Sequence, residues 1–303
     1  MNPAAMNASM PRTIAEYLEA VRLALGPADP AVVHDALHDA EEYLRSEMAE
    51  NPQLDEATII QRVASSYGAP DEVAEIYRET ETKVAKALSA PAAPVRRTPL
   101  GRFFGVAADP RTYAALFYML LSLATGIFYF TWAITGLSLS AGLMILIIGL
   151  PFAVLFIGTV RVLSLVEGRI VEAMLGERMP RRPLYAERGK TFMQRIKHML
   201  TDSRTWSTLL YMVMMLPLGI AYFSVAVAGL TTSMALIASP FAALYVDNVK
   251  FDINFGGLPP MLAIPLAMIA GVLLLFGMMH LARGVGRVHG QLAKNLLVRS
   301  AQY

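Results

Sequence analysis

The sequence predicts an all-α protein: a polytopic four-helix transmembrane domain built from two duplicated helical hairpins, preceded by a small N-terminal soluble helical bundle. Three observations carry that prediction. The first is a near-repeat. Asp109-Pro110-Arg111-Thr112-Tyr113 opens one long hydrophobic stretch, and Asp202-Ser203-Arg204-Thr205-Trp206 opens another 93 positions later. At the same offset Tyr118 falls on Tyr211, Gly126 on Gly219, Tyr129-Phe130 on Tyr222-Phe223, and Gly136-Leu137 on Gly229-Leu230. With a four-residue slip, Pro151-Phe152-Ala153 falls on Pro240-Phe241-Ala242. Repetition of one apolar unit marks a duplicated membrane module. The second is composition: 55% of the 303 residues are hydrophobic and 17% charged, below the roughly 25% charged of soluble domains. The third is charge distribution. Residues 1–90 hold 16 Asp/Glu against 7 Lys/Arg, while 91–303 hold 8 against 19. An acidic soluble head on a basic membrane body follows.

Residues 1–12 read as a disordered start. The head, 13–88, contains four helical patterns. Thr13–Leu25 places Ile14, Leu18, Val21 and Leu25 on one face and stops at Gly26. Pro30 to about Glu50 carries Val33, Leu37, Tyr43 or Leu44, and Met48 as its stripe. Asp55–Tyr67 turns Ile59, Ile60 and Val63 inward. Gly68 then suits a left-handed helix end and Pro70 the first turn of a fourth helix running to about Leu88. Residues 89–112 are a Pro/Ala-rich, semi-rigid linker ending in a basic juxtamembrane segment.

The membrane domain, 113–303, supplies spans at about 113–137, 139–163, 206–230 and 258–282, each long enough to cross a bilayer. Orientation follows from Lys/Arg. Residues 96–111 hold four, 164–205 hold nine and 283–303 hold four, whereas the loop at 247–257 holds one. The positive-inside rule therefore puts both termini in the cytoplasm. No signal peptide opens the chain, so the head is expected to stay on the side where it is made. Each unit begins and ends inside, and the returning spans close on Arg161-x6-Gly168 and Arg283-x6-Gly290.

Several residues are candidates for specific roles. Ser233–Val246 is apolar but too short to cross, and it leads into Asp247, Asn248, Asp252 and Asn254. These alternate with apolar residues, as a short interfacial strand or hairpin would. They are the ligand-binding candidates, suited to a cation or cationic peptide; a solvated external loop is the simpler alternative. Arg161, Glu167, Arg169 and Arg283 form a juxtamembrane set. Arg161 and Arg283 close equivalent spans, where anchoring by snorkelling accounts for them better than a functional charge in the lipid; pairing of Arg161 with Glu167, or of Arg169 with Glu172, would be cytoplasmic trim. His34 and His38 stand at i, i+4, as two zinc ligands could. Without an HExxH glutamate, a solvated acidic helix face accounts for them better, and no metal site is expected. The chain has no cysteine, which excludes disulfides and thiolate chemistry. No P-loop, GxGxxG, GxSxG or paired catalytic carboxylates stand in a supporting context, so neither an enzyme nor a cofactor is expected. Positive-inside bias explains the basic loop without nucleic acid.

Two resemblances add to this reading. The run Leu146-Ile147-Ile148-Gly149-Leu150-Pro151, then Arg161, Glu167-Gly168-Arg169 and Met174-Leu175-Gly176, resembles the bacterial four-span "putative sensor" domain found with histidine kinases. The head is similar to the HAAS helical signalling domain in Tyr17-Leu18, Glu41-Glu42-Tyr43 and Tyr67-Gly68-Ala69-Pro70-Asp71-Glu72-Val73-Ala74. Together they imply a non-enzymatic signalling protein of the bacterial cytoplasmic (inner) membrane. The implied partners are membrane lipids and a PadR-like regulator or a separate kinase, with homo-oligomerisation open. An accessory subunit of a transporter or exporter is the alternative.

Overall fold

The computed structural model describes residues 11–88, 98–146, 149–180, 201–245 and 259–298. They are almost wholly helical: α1 (Ile14–Leu25), α2 (Pro30–Glu50), α3 (Glu56–Ser66), α4 (Pro70–Leu88), α5 (Pro99–Gly105), a 3₁₀ turn (Val106–Ala108), α6 (Pro110–Leu143), α7 (Gly149–Leu175), α8 (Ser203–Tyr245) and α9 (Pro260–Leu297). The chain divides into two compact units. One comprises residues 1–89 with 178–195, and the other 90–177 with 196–303.

In the first unit, polar caps start the helices. Thr13 accepts from the Glu16 amide and Asp29 from the Ala31 amide, filling backbone donors a first turn leaves open. Gly26 and Gly68 end α1 and α3 at φ +60° and +124°, a region costly for residues with a Cβ. The α1 stripe is Ile14, Tyr17, Val21 and Leu25, with Leu18 at its margin. On α2 the buried line is Val32, Ala36, Ala40 and Leu44 rather than Val33 and Leu37, which flank it half-buried. Two alanines one turn apart let neighbouring helices approach closely, so the larger side chains pack beside that line.

Tyr17 locks this core. Its hydroxyl donates to the Gly68 carbonyl at 2.6 Å, tying α1 to the α3–α4 corner. Burial, reinforced by Tyr67, Glu72 and Asp71, pushes the Tyr17 phenol above its usual range. A raised folded-state value means this contribution is complete below about pH 10 and declines as pH rises further. Tyr17→Phe is expected to remove about 1–3 kcal/mol from the bundle and to flatten its alkaline loss of stability. Hydrogen exchange of α1 and α4 amides in the full chain measures both.

Among its described residues the second unit contains four helices long and apolar enough to cross a membrane, which makes the chain a multi-pass membrane protein. The repeat is structural. Asp109 caps α6 by accepting from the Arg111 amide, and Asp202 caps α8 by accepting from the Arg204 amide, each at 3.0 Å. Helix α5 packs on α9 through Phe103, which stacks on His280 with ring centroids 5.4 Å apart.

The helices outrun the expected spans. Helix α6 continues through Leu143, past the turn expected at 138. A Cβ on Gly136 would lie 2.0 Å from the Phe156 ring, so a side chain there would require the ring to move where α7 returns. Helix α8 is unbroken to Tyr245, carrying Pro217 and Pro240 inside it. Residues expected to form a separate short segment after 233 are therefore its continuation. There Leu236 and Ile237 lie against Gly271 of α9. The Pro151–Pro240 alignment fails for the same reason: Pro151 lies in the first turn of returning helix α7, whereas Pro240 lies within outgoing helix α8. The returning helices correspond instead through Arg161 and Arg283, 122 positions apart. At that offset Phe156 beside Gly136 becomes Met278 beside Gly229.

Candidate functional site

The four long helices converge on a buried polar node. Tyr118 and Tyr129 are eleven residues apart on α6, about three helical turns, so they share one face. Tyr211 and Tyr222 repeat that spacing on α8. The returning helices bring Glu167 from α7 and His289 from α9, which are 1% and 0% exposed.

Glu167 accepts three hydroxyl hydrogen bonds. Tyr118 and Tyr211 donate to Oε1, each at 2.8 Å, and Tyr129 donates to Oε2 at 3.0 Å. His289 Nε2 lies 2.6 Å from the Tyr118 hydroxyl and 3.0 Å from that of Tyr211. Each phenol has one proton, and both of these point at Glu167. With Glu167 ionised, proton counting places the His289 hydrogen on Nε2, donated to the tyrosine oxygens. Among the described residues no hydrogen-bond partner meets Nδ1. Tyr222 stands edge-on to the imidazole, with centroids 5.7 Å apart and planes at 85°.

Repeat symmetry organises the node. Tyr118 corresponds to Tyr211, Tyr129 to Tyr222 and Glu167 to His289; the last two each precede the glycine of an aligned exit, Gly168 and Gly290. The two halves thus present one tyrosine pair each and differ in placing an acid opposite a base. Beside the node, α6 and α8 touch backbone to backbone, reciprocally. A Cβ on Gly126 would lie 2.5 Å from the Met215 carbonyl oxygen, and one on Gly219 would lie 2.2 Å from that of Ser122. Small residues at such crossings let transmembrane helices pack on their backbones.

The juxtamembrane set separates into distinct environments. Arg169 pairs with Glu172 at 2.6 Å, as expected. Arg283 pairs with Asp109 at 3.2 Å. Arg161 is half-buried. Glu167, expected as a partner of Arg161, accepts from three tyrosine hydroxyls. The ligand-binding candidates Asp247, Asn248, Asp252 and Asn254 lie outside the described residues.

In the first unit, the expected solvated face of α2 is partly interior. Asp35 is 5% exposed and pairs with Arg178 at 3.2 Å, while Arg178 also meets Glu81 at 3.0 Å. Asp39 accepts from the Tyr77 hydroxyl at 2.5 Å. The rings of His34 and His38 are 6.2 Å apart, and no group of three metal-ligating side chains occurs among the described residues.

Sequence reasoning missed the node because expected span ends at 163 and 282 left Glu167 and His289 outside the apolar runs. The signal that could have found it lay in the aligned exits, where Glu167 and His289 each stand directly before the glycine. A family model described as "Putative sensor" matches residues 118–297, a range opening on Tyr118 and containing every residue of the node. No curated protein and no solved structure matches the chain.

Proposed function

Because the chain belongs to the "Putative sensor" family, we propose that it is a non-enzymatic membrane sensor, coupling an envelope or membrane signal to a cytoplasmic partner through its N-terminal helices. The observation that carries this reading is the Glu167–His289–tyrosine node. It draws side chains from all four spanning helices and from both repeats, so a shift of one repeat against the other must rearrange its hydrogen bonds. A two-arrangement element of this kind is what signal transmission requires.

Positive-inside bias supports a cytoplasmic-membrane location with both termini inside. The head's excess of acidic residues favours a basic partner surface. HAAS-like residues in the head point to a PadR-like regulator or a separate kinase.

Crosslinking from the head of the full-length protein in its native membrane, with and without envelope stress, tests the proposal. The expected result is a captured partner whose yield changes with stress and ceases to change in Glu167→Gln. Stress-dependent capture untouched by that substitution would separate signalling from the node and overturn the reading. Capture of a constant exporter subunit would favour the transport-accessory alternative, which the duplicated architecture also suits.

A further inference from the structure

We infer that the second unit holds a phosphate-binding site where α6, α7 and α9 meet. A cavity of about 260 Å³ there is lined by Arg111, Gly176, Glu177, Arg283, Arg287 and Gln291. Its floor is tightly packed: a Cβ on Gly286 would lie 3.1 Å from the Ala115 Cβ and 3.3 Å from Leu175 Cδ2. Arg111 approaches the turn at Gly176, whose φ of +77° follows the end of α7. Arg283 is held by Asp109, whereas Arg287 and Gln291 stand exposed at the mouth.

Position identifies the class of ligand. From Pro260 through Ala282, α9 carries no Asp, Glu, Lys or Arg. Those 23 residues rise about 34 Å, close to the roughly 30 Å hydrocarbon thickness of a bilayer. Arg283 is the first charge after that run, and Arg111 is the last before the apolar run of α6. The cavity therefore lies at headgroup level, where guanidinium groups bind phosphate oxygens through forked hydrogen bonds. Glu177 at the rim favours a ligand with a hydroxyl or ammonium beside its phosphate. At the 122-residue offset the position of Arg287 is held by Leu165 in the other repeat, so the charge is particular to this cavity rather than shared span-end trim. A phospholipid headgroup and free phosphate share the required chemistry. The inference is independent of the sensor reading.

The test uses full-length protein in phosphatidylcholine nanodiscs, supplied separately with phosphatidylglycerol and with inorganic phosphate. Native mass spectrometry reads lipid retention, and thermal unfolding reads stabilisation. Arg111→Gln and Arg287→Leu alter exposed side chains and leave the Arg283–Asp109 pair intact; their unfolding temperature in phosphatidylcholine alone verifies folding. Preferential retention of phosphatidylglycerol, reduced about tenfold in the double variant, establishes a headgroup site. Stabilisation by inorganic phosphate alone, lost in the same variant, establishes a soluble phosphate site. Equal binding by wild type and variant, or no response to either ligand, overturns the inference.

Discussion

Glu167→Ala lowers the stability of the four-helix unit by about 3–5 kcal/mol, the largest expected effect of any polar substitution in the chain. The carboxylate is the common acceptor of Tyr118, Tyr129 and Tyr211. Removing it strands three hydroxyl donors in a site where Glu167 itself is 1% exposed. Each stranded donor costs about 1–3 kcal/mol, and partial re-pairing with His289 keeps the total below the simple sum. Glu167→Gln retains one acceptor oxygen and nearly the same volume, so it should cost about half as much. Thermal unfolding of the full chain in nanodiscs measures both. An alanine variant within 1 kcal/mol of wild type would show that the hydroxyls are satisfied some other way.

The pseudo-symmetry extends this prediction. His289 stands where the repeat places Glu167, and both contact Tyr118 and Tyr211. Glu167→His confronts His289 with a second imidazole, and His289→Glu confronts Glu167 with a second carboxylate. Combining them restores one acid and one base with the tyrosines still between. The double variant should therefore be more stable than the sum of its parts by about 1–3 kcal/mol. Strict additivity would mean that the two sides of the node are not equivalent.

Much of the architecture was legible from periodicity. The stop at Gly26 and the Gly68–Pro70 corner follow from local backbone chemistry, and helices end and begin there. The repeat was legible as well, because Tyr118, Gly126 and Tyr129 each recur 93 positions on. The site was not. Apolar run length marks where a helix meets solvent or headgroups, yet α7 and α9 continue past Arg161 and Arg283 with one face buried and the other exposed. Glu167 and His289 thus looked like boundary residues although both are enclosed. Burial of Asp35 was equally hidden, because its partner Arg178 lies 143 residues away. Local pattern carries no information about such a pairing.

Gly219→Ala and Gly126→Ala are each expected to destabilise the four-helix unit by about 1–3 kcal/mol, and together by less than their sum. The obstruction at both positions is backbone: Ser122 carbonyl at 2.2 Å from a Cβ on Gly219, and Met215 carbonyl at 2.5 Å from one on Gly126. No rotamer change can clear a carbonyl that belongs to a helix, so α6 and α8 must separate. Once one methyl has forced them apart, the second meets a gap already opened, which makes the pair sub-additive. Gly142→Ala is the matched control, since nothing lies within 4 Å of its Cβ position. There alanine should be neutral or slightly stabilising. The crossing also sets the distance between Tyr118 on α6 and Tyr211 on α8, whose hydroxyls converge on one oxygen of Glu167. Separation draws at least one hydroxyl away from that oxygen. Glu167→Ala should consequently cost less in a Gly219→Ala background than in wild type. An unchanged cost would place the helix crossing and the polar node in independent parts of the unit.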